Sequence, residues 1–499
     1  MATIINDQRQ TSLKTTLPPG PRPLPYLGNS VAFRMDQLGY FQHLQRTYGD
    51  MATLYLGKIP FVLLSRPEYI RYLLVENPRN FLNRPVATQG DGTPGNGGLL
   101  TIDGEQHRQQ RRAVQPAFHK KHIEGYVATM TQHTQELLDG WHMGETVDMS
   151  GSMQTLTLRI VSQCLFGIDL SNQLDALGDT FSDMIGNPAG ALETIFNVRI
   201  DNPITSYGKR MEAFRRIDAL VYTLIAQRRG DEHPHNDVLS MLLASPDGEH
   251  PGLLTDQQVH DHLTTFIAAG HETTAIALTW TFYLLSKHPE VREKLLNEIR
   301  TVLGDRPMTM GDMDKLTYTD WVLSEALRLY PPAWFQARFS ANEFDLGEYH
   351  FPAGTRFLMS QWVMHRLPAI WGDPEAFRPE RWDPENGQKV PAGAYFPFGG
   401  GPRTCIGMPF AQLEAKLILT MILQRFVPQT EPGYVADLNP TITLRPKNHL
   451  RTILLSTSAD ASSARWERTL QVPSAGDNGA VDRQGCRPAF LNLLSAFRL

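Results

Sequence analysis

Apolar positions recur at helical spacing through most of the chain between about Gly104 and Phe426, including the stretches Met211 to Arg229 and Pro289 to Leu303. The longest apolar stretch, Leu263 to Leu285, carries His271 and Glu272 near its centre. A charge at mid-bilayer costs about 2.5 to 3.5 kcal/mol, so this stretch reads as a helix buried in a soluble protein and not as a membrane span. Met51 to Leu56 and Phe61 to Leu64 predict two short strands joined by Gly57-Lys58-Ile59-Pro60, followed by a helix signalled by Ser65, Pro67 and Glu68. Strand-like fragments return near Thr355 to Met359 and Pro440 to Leu455. The fold class is therefore mainly α with a small β-rich subdomain drawn from both ends of the chain.

The organisation follows from where these periods stop. Residues 1–17 are polar and read as disordered, and the prolines of Leu17 to Pro25 forbid helix and favour a stiff, extended strap. One domain is expected over 18–455. Inside it, Arg84 to Gly98 holds five glycines and two prolines and reads as a mobile lid. Residues 456–499 are small and polar without an apolar period, which predicts a loosely ordered tail. No internal repeat is present.

Composition narrows the function classes. With 499 residues, 41% hydrophobic and 20% charged, the chain can bury a large core, which excludes a disordered or fibrous protein. A formal net charge of −5 gives no global reason to bind nucleic acid. The three cysteines, Cys164, Cys405 and Cys486, form no CxxC pair, so a disulfide framework or zinc site is not expected and each thiol is considered singly. With no apolar leader or anchor at the N-terminus, the expected location is cytoplasmic.

Four segments carry candidate chemistry. In Phe398-Gly399-Gly400-Gly401-Pro402-Arg403-Thr404-Cys405-Ile406-Gly407, a glycine-rich loop presents one cysteine just before a helix, where unpaired N–H groups and the macrodipole favour a thiolate. The missing side chains let a flat, bulky group approach, and Arg403 can meet an acidic substituent on it. A buried structural cysteine in a turn is the other reading. Glu325 and Arg328, spaced i, i+3, share a helix face, a pairing worth only about 0.3 to 0.5 kcal/mol at a surface. In Ala268-Ala269-Gly270-His271-Glu272-Thr273-Thr274, Gly270 weakens the helix and Thr273 can bond back one turn, which predicts a kink or, alternatively, a packing notch. His107 and Arg111, four apart, can share a face with Arg112 as a substitute for Arg111. Arg108, Arg112, Lys120 and Lys121 make a local basic patch, read either as a docking face for an acidic partner or as solvated charge.

The first of these segments resembles the haem-binding loop of the cytochrome P-450 family, F-x-x-G-x-R-x-C-x-G, matched by Phe398, Gly401, Arg403, Cys405 and Gly407. The resemblance extends in order from about Pro18 to Leu455. It implies the cytochrome P-450 fold with haem (heme b, iron protoporphyrin IX), Cys405 as the metal ligand and Phe398 beside the sulfur. It further implies that Glu325, Arg328 and Arg381, the last from Pro379-Glu380-Arg381, lock the cysteine loop. His107, standing where many members carry tryptophan, would hold the propionates with Arg111, Arg338 and Arg403. Ala269 and Gly270 would flank dioxygen, Thr273 would hydrogen-bond it and Glu272 would feed protons. The lack of an anchor resembles the soluble bacterial type.

The implied activity is a monooxygenase that activates dioxygen with two electrons and hydroxylates or epoxidises a hydrophobic small molecule such as a fatty acid, terpenoid, steroid or macrolide. Segments 84–100, 185–204 and Ala333 to Gln336 would line its cavity. Electrons would come from NAD(P)H through a separate ferredoxin or flavodoxin and its reductase, because nothing after Leu455 resembles a redox module. A peroxide-using or peroxide-rearranging haem-thiolate enzyme is a rival, disfavoured by Glu272 and Thr273. A haem gas sensor or carrier is another, disfavoured by the lack of a visible output domain.

Overall fold

The apolar stretch at the centre of the sequence forms a helix of 32 residues, Asp256–Lys287. Thr255 caps it: its hydroxyl accepts from the Gln258 N–H, and the Gln258 side chain accepts from the Thr255 N–H, which satisfies donors the first turn leaves orphaned. In this computed structural model the described residues are 17–85, 97–168, 202, 205–233, 235, 237–244, 254–385 and 387–457. Most of the expected lid, nearly all of segment 185–204 and the tail from 458 lie outside them. The described residues belong to one compact unit, residues 1–457; a second unit comprises 458–499.

The long helix is buried on nearly all sides because three others pack on it: Met149–Phe166, Ser206–Arg229 and Thr317–Leu329. The Met149–Phe166 contact is the closest. Thr157 donates to the His271 carbonyl at 2.9 Å, and a Cβ at Gly270 would stand 3.2 Å from Val161 Cγ2. Helix runs without interruption through residues 268–274, where the sequence suggested a kink or a packing notch. Gly270 serves close approach to a neighbouring helix, while Thr273 does bond back to the Ala269 carbonyl at 2.7 Å. A further buried helix, Met408–Arg425, completes this cluster with Leu413, Leu417, Ile418 and Met421.

A second apolar cluster surrounds a mixed five-stranded sheet in the order Met51–Leu56, Ile59–Leu64, Arg356–Met359, Gln336–Ser340, Phe81–Leu82. The first two strands are the predicted antiparallel hairpin, the second starting two residues early at Ile59. Ile59–Leu64 pairs parallel with Arg356–Met359, which joins sequence neighbourhoods some 300 residues apart. The proline-rich strap is free of helix and lies beside the first strand: Thr53 donates through its N–H to Pro19 O at 2.9 Å and through its hydroxyl to Pro18 O at 2.7 Å. A smaller sheet of Thr146–Asp148, Arg451–Ser456 and Phe426–Gln429 and the hairpin Leu438–Pro440 with Leu444–Pro446 account for the strand signal near the C-terminal end. Among the described residues no helix is long and apolar enough to cross a membrane.

Candidate active site

The glycine loop is held in shape by its own backbone. Cys405 N donates to Phe398 O at 2.9 Å, and Thr404 closes on Gly401 O through both its N–H (3.0 Å) and its hydroxyl (2.8 Å). Gly401 has φ +62° and lies so close to the preceding helical turns that a Cβ would fall 1.9 Å from Leu74 O, so no other residue fits. Gly407 is the N-cap of Met408–Arg425, which begins three residues after Cys405. The N–H groups of this terminus do pull the thiol toward thiolate, against a larger opposing effect of burial. Although the sulfur keeps accessible surface on one side, burial pushes the thiol up, and the Gly407 and Met408 N–H groups and the Arg111 guanidinium oppose that only in part. A cation at the sulfur would supply the remainder.

Cations gather around this loop. In the helix Gly104–Val114, His107, Gln110 and Val114 are buried on one face, which turns Arg111 inward and leaves Arg112 exposed. Arg111, and not Arg112, therefore faces the cysteine. Burial, then the charges of Arg403, Arg111 and His262, lowers His107 to about 3, so its ring is neutral. Arg338 is buried and, among the described residues, meets only neutral acceptors within hydrogen-bond distance, Ala337 O at 2.8 Å and Gln336 Oε1 at 3.0 Å; burial and the Arg403 charge lower it to about 10. Arg403 donates to Ile102 O at 2.6 Å, to Leu99 O at 3.3 Å and to the Asp103 carboxylate. Asp103, which also accepts from the Asn83 and Arg84 N–H groups, escaped the sequence reading although it immediately precedes the helix. Mutually repelling guanidinium groups beside a single carboxylate fit a guest that brings its own negative charge, and a flat anionic macrocycle with a metal at the sulfur meets that requirement.

Glu325, Arg328 and Arg381 meet with no solvent exposure on any of the three side chains. Glu325 Oε1 accepts from Arg328 Nη2 at 2.8 Å, from Arg381 Nε at 3.1 Å and from Arg378 N at 3.1 Å; Oε2 accepts from Arg328 Nε at 2.9 Å and Trp382 Nε1 at 3.1 Å. The arginines in turn satisfy the carbonyls of His365, Pro374, Ala376, Trp371 and Asp373. The route from this knot to the cysteine loop is His365, which sequence reasoning missed. Its carbonyl accepts from Arg328, and its Nε2 accepts the Phe396 N–H at 3.1 Å, two residues before Phe398. Burial, reinforced by Arg328 and Arg366, holds its imidazole far below the ordinary range, so the ring is neutral and Nε2 has a lone pair to offer.

On the long helix, Ala268, Ala269, Gly270 and Thr273 keep accessible surface while His271, Glu272 and Thr274 are buried. The structure thus separates the neighbours Glu272 and Thr273 onto different sides. Glu272 turns to the C-terminal hairpin, where Thr443 Oγ1 donates to Oε1 at 2.8 Å and Arg445 Nη2 lies 2.9 Å from the same atom.

Glu414, nine residues after Cys405, is buried beside Thr274, and burial raises its carboxyl to about 8. Between the ordinary carboxylate range and about pH 8, the folded chain holds a proton here that the unfolded chain releases, so this group makes stability fall as pH rises through that window. Glu414→Gln removes the dependence. Its melting temperature relative to the unsubstituted protein is expected to climb by on the order of a few degrees from pH 5 to pH 8. Parallel curves in paired thermal melts would contradict a neutral Glu414.

A family model described as Cytochrome P450 matches residues 18–452. Cyclooctat-9-en-7-ol 5-monooxygenase of Streptomyces melanosporofaciens is 35% identical over 439 residues, covering 85% of this chain and 94% of that one. Pentalenene oxygenase of Streptomyces avermitilis is 32% identical over 449 residues, covering 88% and 96%. Among solved structures, a retinoic acid-bound cyanobacterial CYP120A1 superposes with a TM-score of 0.79 at 28% identity, covering 89% of this chain and all of that one.

Proposed function

The chain belongs to the cytochrome P450 family and is a monooxygenase of that family, and we propose that Cys405 ligates its haem iron while His107, Arg111, Arg338 and Arg403 hold the haem propionates. The observation that carries this reading is the set of cations around one accessible cysteine, with buried Arg338 holding, among the described residues, only neutral hydrogen-bond acceptors. When bound, haem supplies activation of dioxygen for insertion into an unactivated C–H or C=C bond. The protein's part is to bind, orient and move protons. Arg111 and Arg403 balance the charge of the guest, and Phe398 stands at the start of the loop that presents the sulfur. Ala269 keeps accessible surface on the long helix, and its small methyl leaves room for a small molecule.

Thr273 Oγ1 holds the proton at the cavity, donated to Ala269 O in the resting arrangement and free to rotate toward a guest. Glu272 replenishes it. A hydroxyl and a carboxylate at adjacent positions suit a reaction in which one oxygen atom leaves as water. Thr273→Ala is expected to lower product formed per NAD(P)H consumed by about tenfold, with the electrons recovered as hydrogen peroxide. Unchanged coupling would remove Thr273 from this role.

The substrate is a hydrophobic small molecule, and the relatives' names favour a terpenoid alkene or alkenol over a fatty acid, steroid or macrolide. Ala268 and Ala269, which keep accessible surface on the long helix, suit such a guest. Electrons reach the site from NAD(P)H through a separate ferredoxin or flavodoxin and its reductase, with Arg108, Arg112, Lys120 and Lys121 as the docking face. The test is turnover of pentalenene with NAD(P)H and surrogate redox proteins: product supports the reading. Product with peroxide alone would favour the peroxide-using class.

A further inference from the structure

The mechanism above leaves Glu272 buried and pointing away from the cavity side of its helix, held by residues 171 and 173 positions later. Thr443 and Arg445 are two residues apart across Leu444, so alternation along an extended segment turns both toward the same side. Leu444 fixes that segment to the rest: its carbonyl accepts from Trp280 Nε1 at 2.8 Å and its N–H donates to Pro332 O at 2.9 Å. Trp280 lies eight residues after Glu272 on the same helix, about two turns away. The hairpin is therefore stapled to the helix that carries the carboxylate, and the separation of Arg445 from Glu272 is set by rigid elements.

The pair is charge-matched but not saturated. Arg445 Nη2 stands 2.9 Å from Oε1 off the hydrogen-bond direction, and Nη2, Nε and Glu272 Oε2 are buried without a hydrogen-bond partner among the described residues. Arg445 is the side of the pair nearer solvent, its side chain 18% exposed against 6% for Glu272. His271, the other titratable neighbour, has its Nδ1 committed to Ile267 O at 2.8 Å.

We propose that Arg445, with Thr443, is a positioning residue that holds Glu272 Oε1 and so keeps Glu272 a carboxylate docked at the hairpin, where it takes up a proton at the unpartnered Oε2 and passes it toward the Thr273 hydroxyl. Giving its proton to Thr273 leaves Glu272 a carboxylate again, which returns to the hairpin and takes up the next proton from water at the exposed end of Arg445. Arg445 makes no contact with substrate; it acts through Glu272. This inference rests on the proposed proton-supply role of Glu272.

Arg445→Met leaves the buried carboxyl without its counter-charge, and Glu272 then takes up a proton at rest. In infrared spectra of the haem-loaded protein, Arg445→Met should gain a protonated-carboxyl C=O band that is missing from the unsubstituted protein and from Arg445→Lys, and that vanishes in Arg445→Met/Glu272→Gln. A neutral Glu414 contributes equally to all four spectra. With pentalenene as probe substrate, Glu272→Gln and Arg445→Met should each lower product per NAD(P)H by about threefold or more, and the double variant should be no worse than either. Arg445→Lys should recover most of the loss.

No new band in Arg445→Met, or losses that multiply in the double variant, would overturn the positioning role. Full coupling in Glu272→Gln would instead remove Glu272 from proton supply, while the band would still report whether Arg445 holds it. Should Arg445→Met fail to load haem, Thr443→Val is measured in its place: a carboxyl band and a coupling loss are expected, and neither appearing counts against the clamp.

Discussion

Cys405→Ala is expected to give folded protein that binds little haem and lacks the red-shifted Soret band of the ferrous CO adduct that sulfur ligation produces. The reason is local. Among the described residues the remaining thiol, Cys164, is buried in the helix Met149–Phe166, and no cluster of His, Cys, Asp or Glu is arranged to hold a metal ion. Burial raises the Cys164 thiol well above the ordinary range, so it is no substitute as a thiolate. Replacement removes one sulfur from a loop whose shape is set by Gly401, Phe398 O and Thr404, so the loop itself should persist. Optical spectra of protein expressed with ample haem supply decide it: a pigment with an unaltered spectrum would end the assignment.

Glu325→Ala is expected to yield little or no haem-loaded protein. The change strands Arg328 and Arg381, both without exposure, and leaves donors of Arg378 N and Trp382 Nε1 unpaired. Loss of one partner of a buried ion pair costs about 3 to 5 kcal/mol, comparable with a large share of a domain's net stability. Arg328→Ala should behave alike, because it strands Glu325 and releases the carbonyl of His365, whose ring holds Phe396 ahead of the cysteine loop. Haem content per polypeptide, measured beside a thermal melt, tests both. Normal haem content in either variant would separate this knot from the loop.

The motifs of the site were legible because each sits within a few consecutive residues. Phe398 to Gly407 is local, and so is the helical phase that turns Arg111 in and Arg112 out once His107 is taken as buried. The value of Glu325–Arg328 was not legible. At i, i+3 the pair reads as a weak surface contact, and only the arrival of Arg381, His365 and Trp382 from later segments removes it from water. Gly270 and Thr273 read equally as a kink or a packing notch, and the approach of Val161 to Gly270 that makes it a notch is a contact that helix propensity does not contain.

By itself the sequence determined the mainly α class with a small β component, from period and composition, and the membership of the family, from short motifs that resemble it, among them the one that makes Cys405 the proposed metal ligand. Tertiary structure alone decided what surrounds each charge. It paired Ile59–Leu64 with Arg356–Met359, left Arg338 facing Arg403 in a buried place, and brought Thr443 and Arg445 to Glu272. The physical reason is that the cost of a buried charge depends on partners supplied by distant chain segments, and spacing along the chain carries no record of those distances.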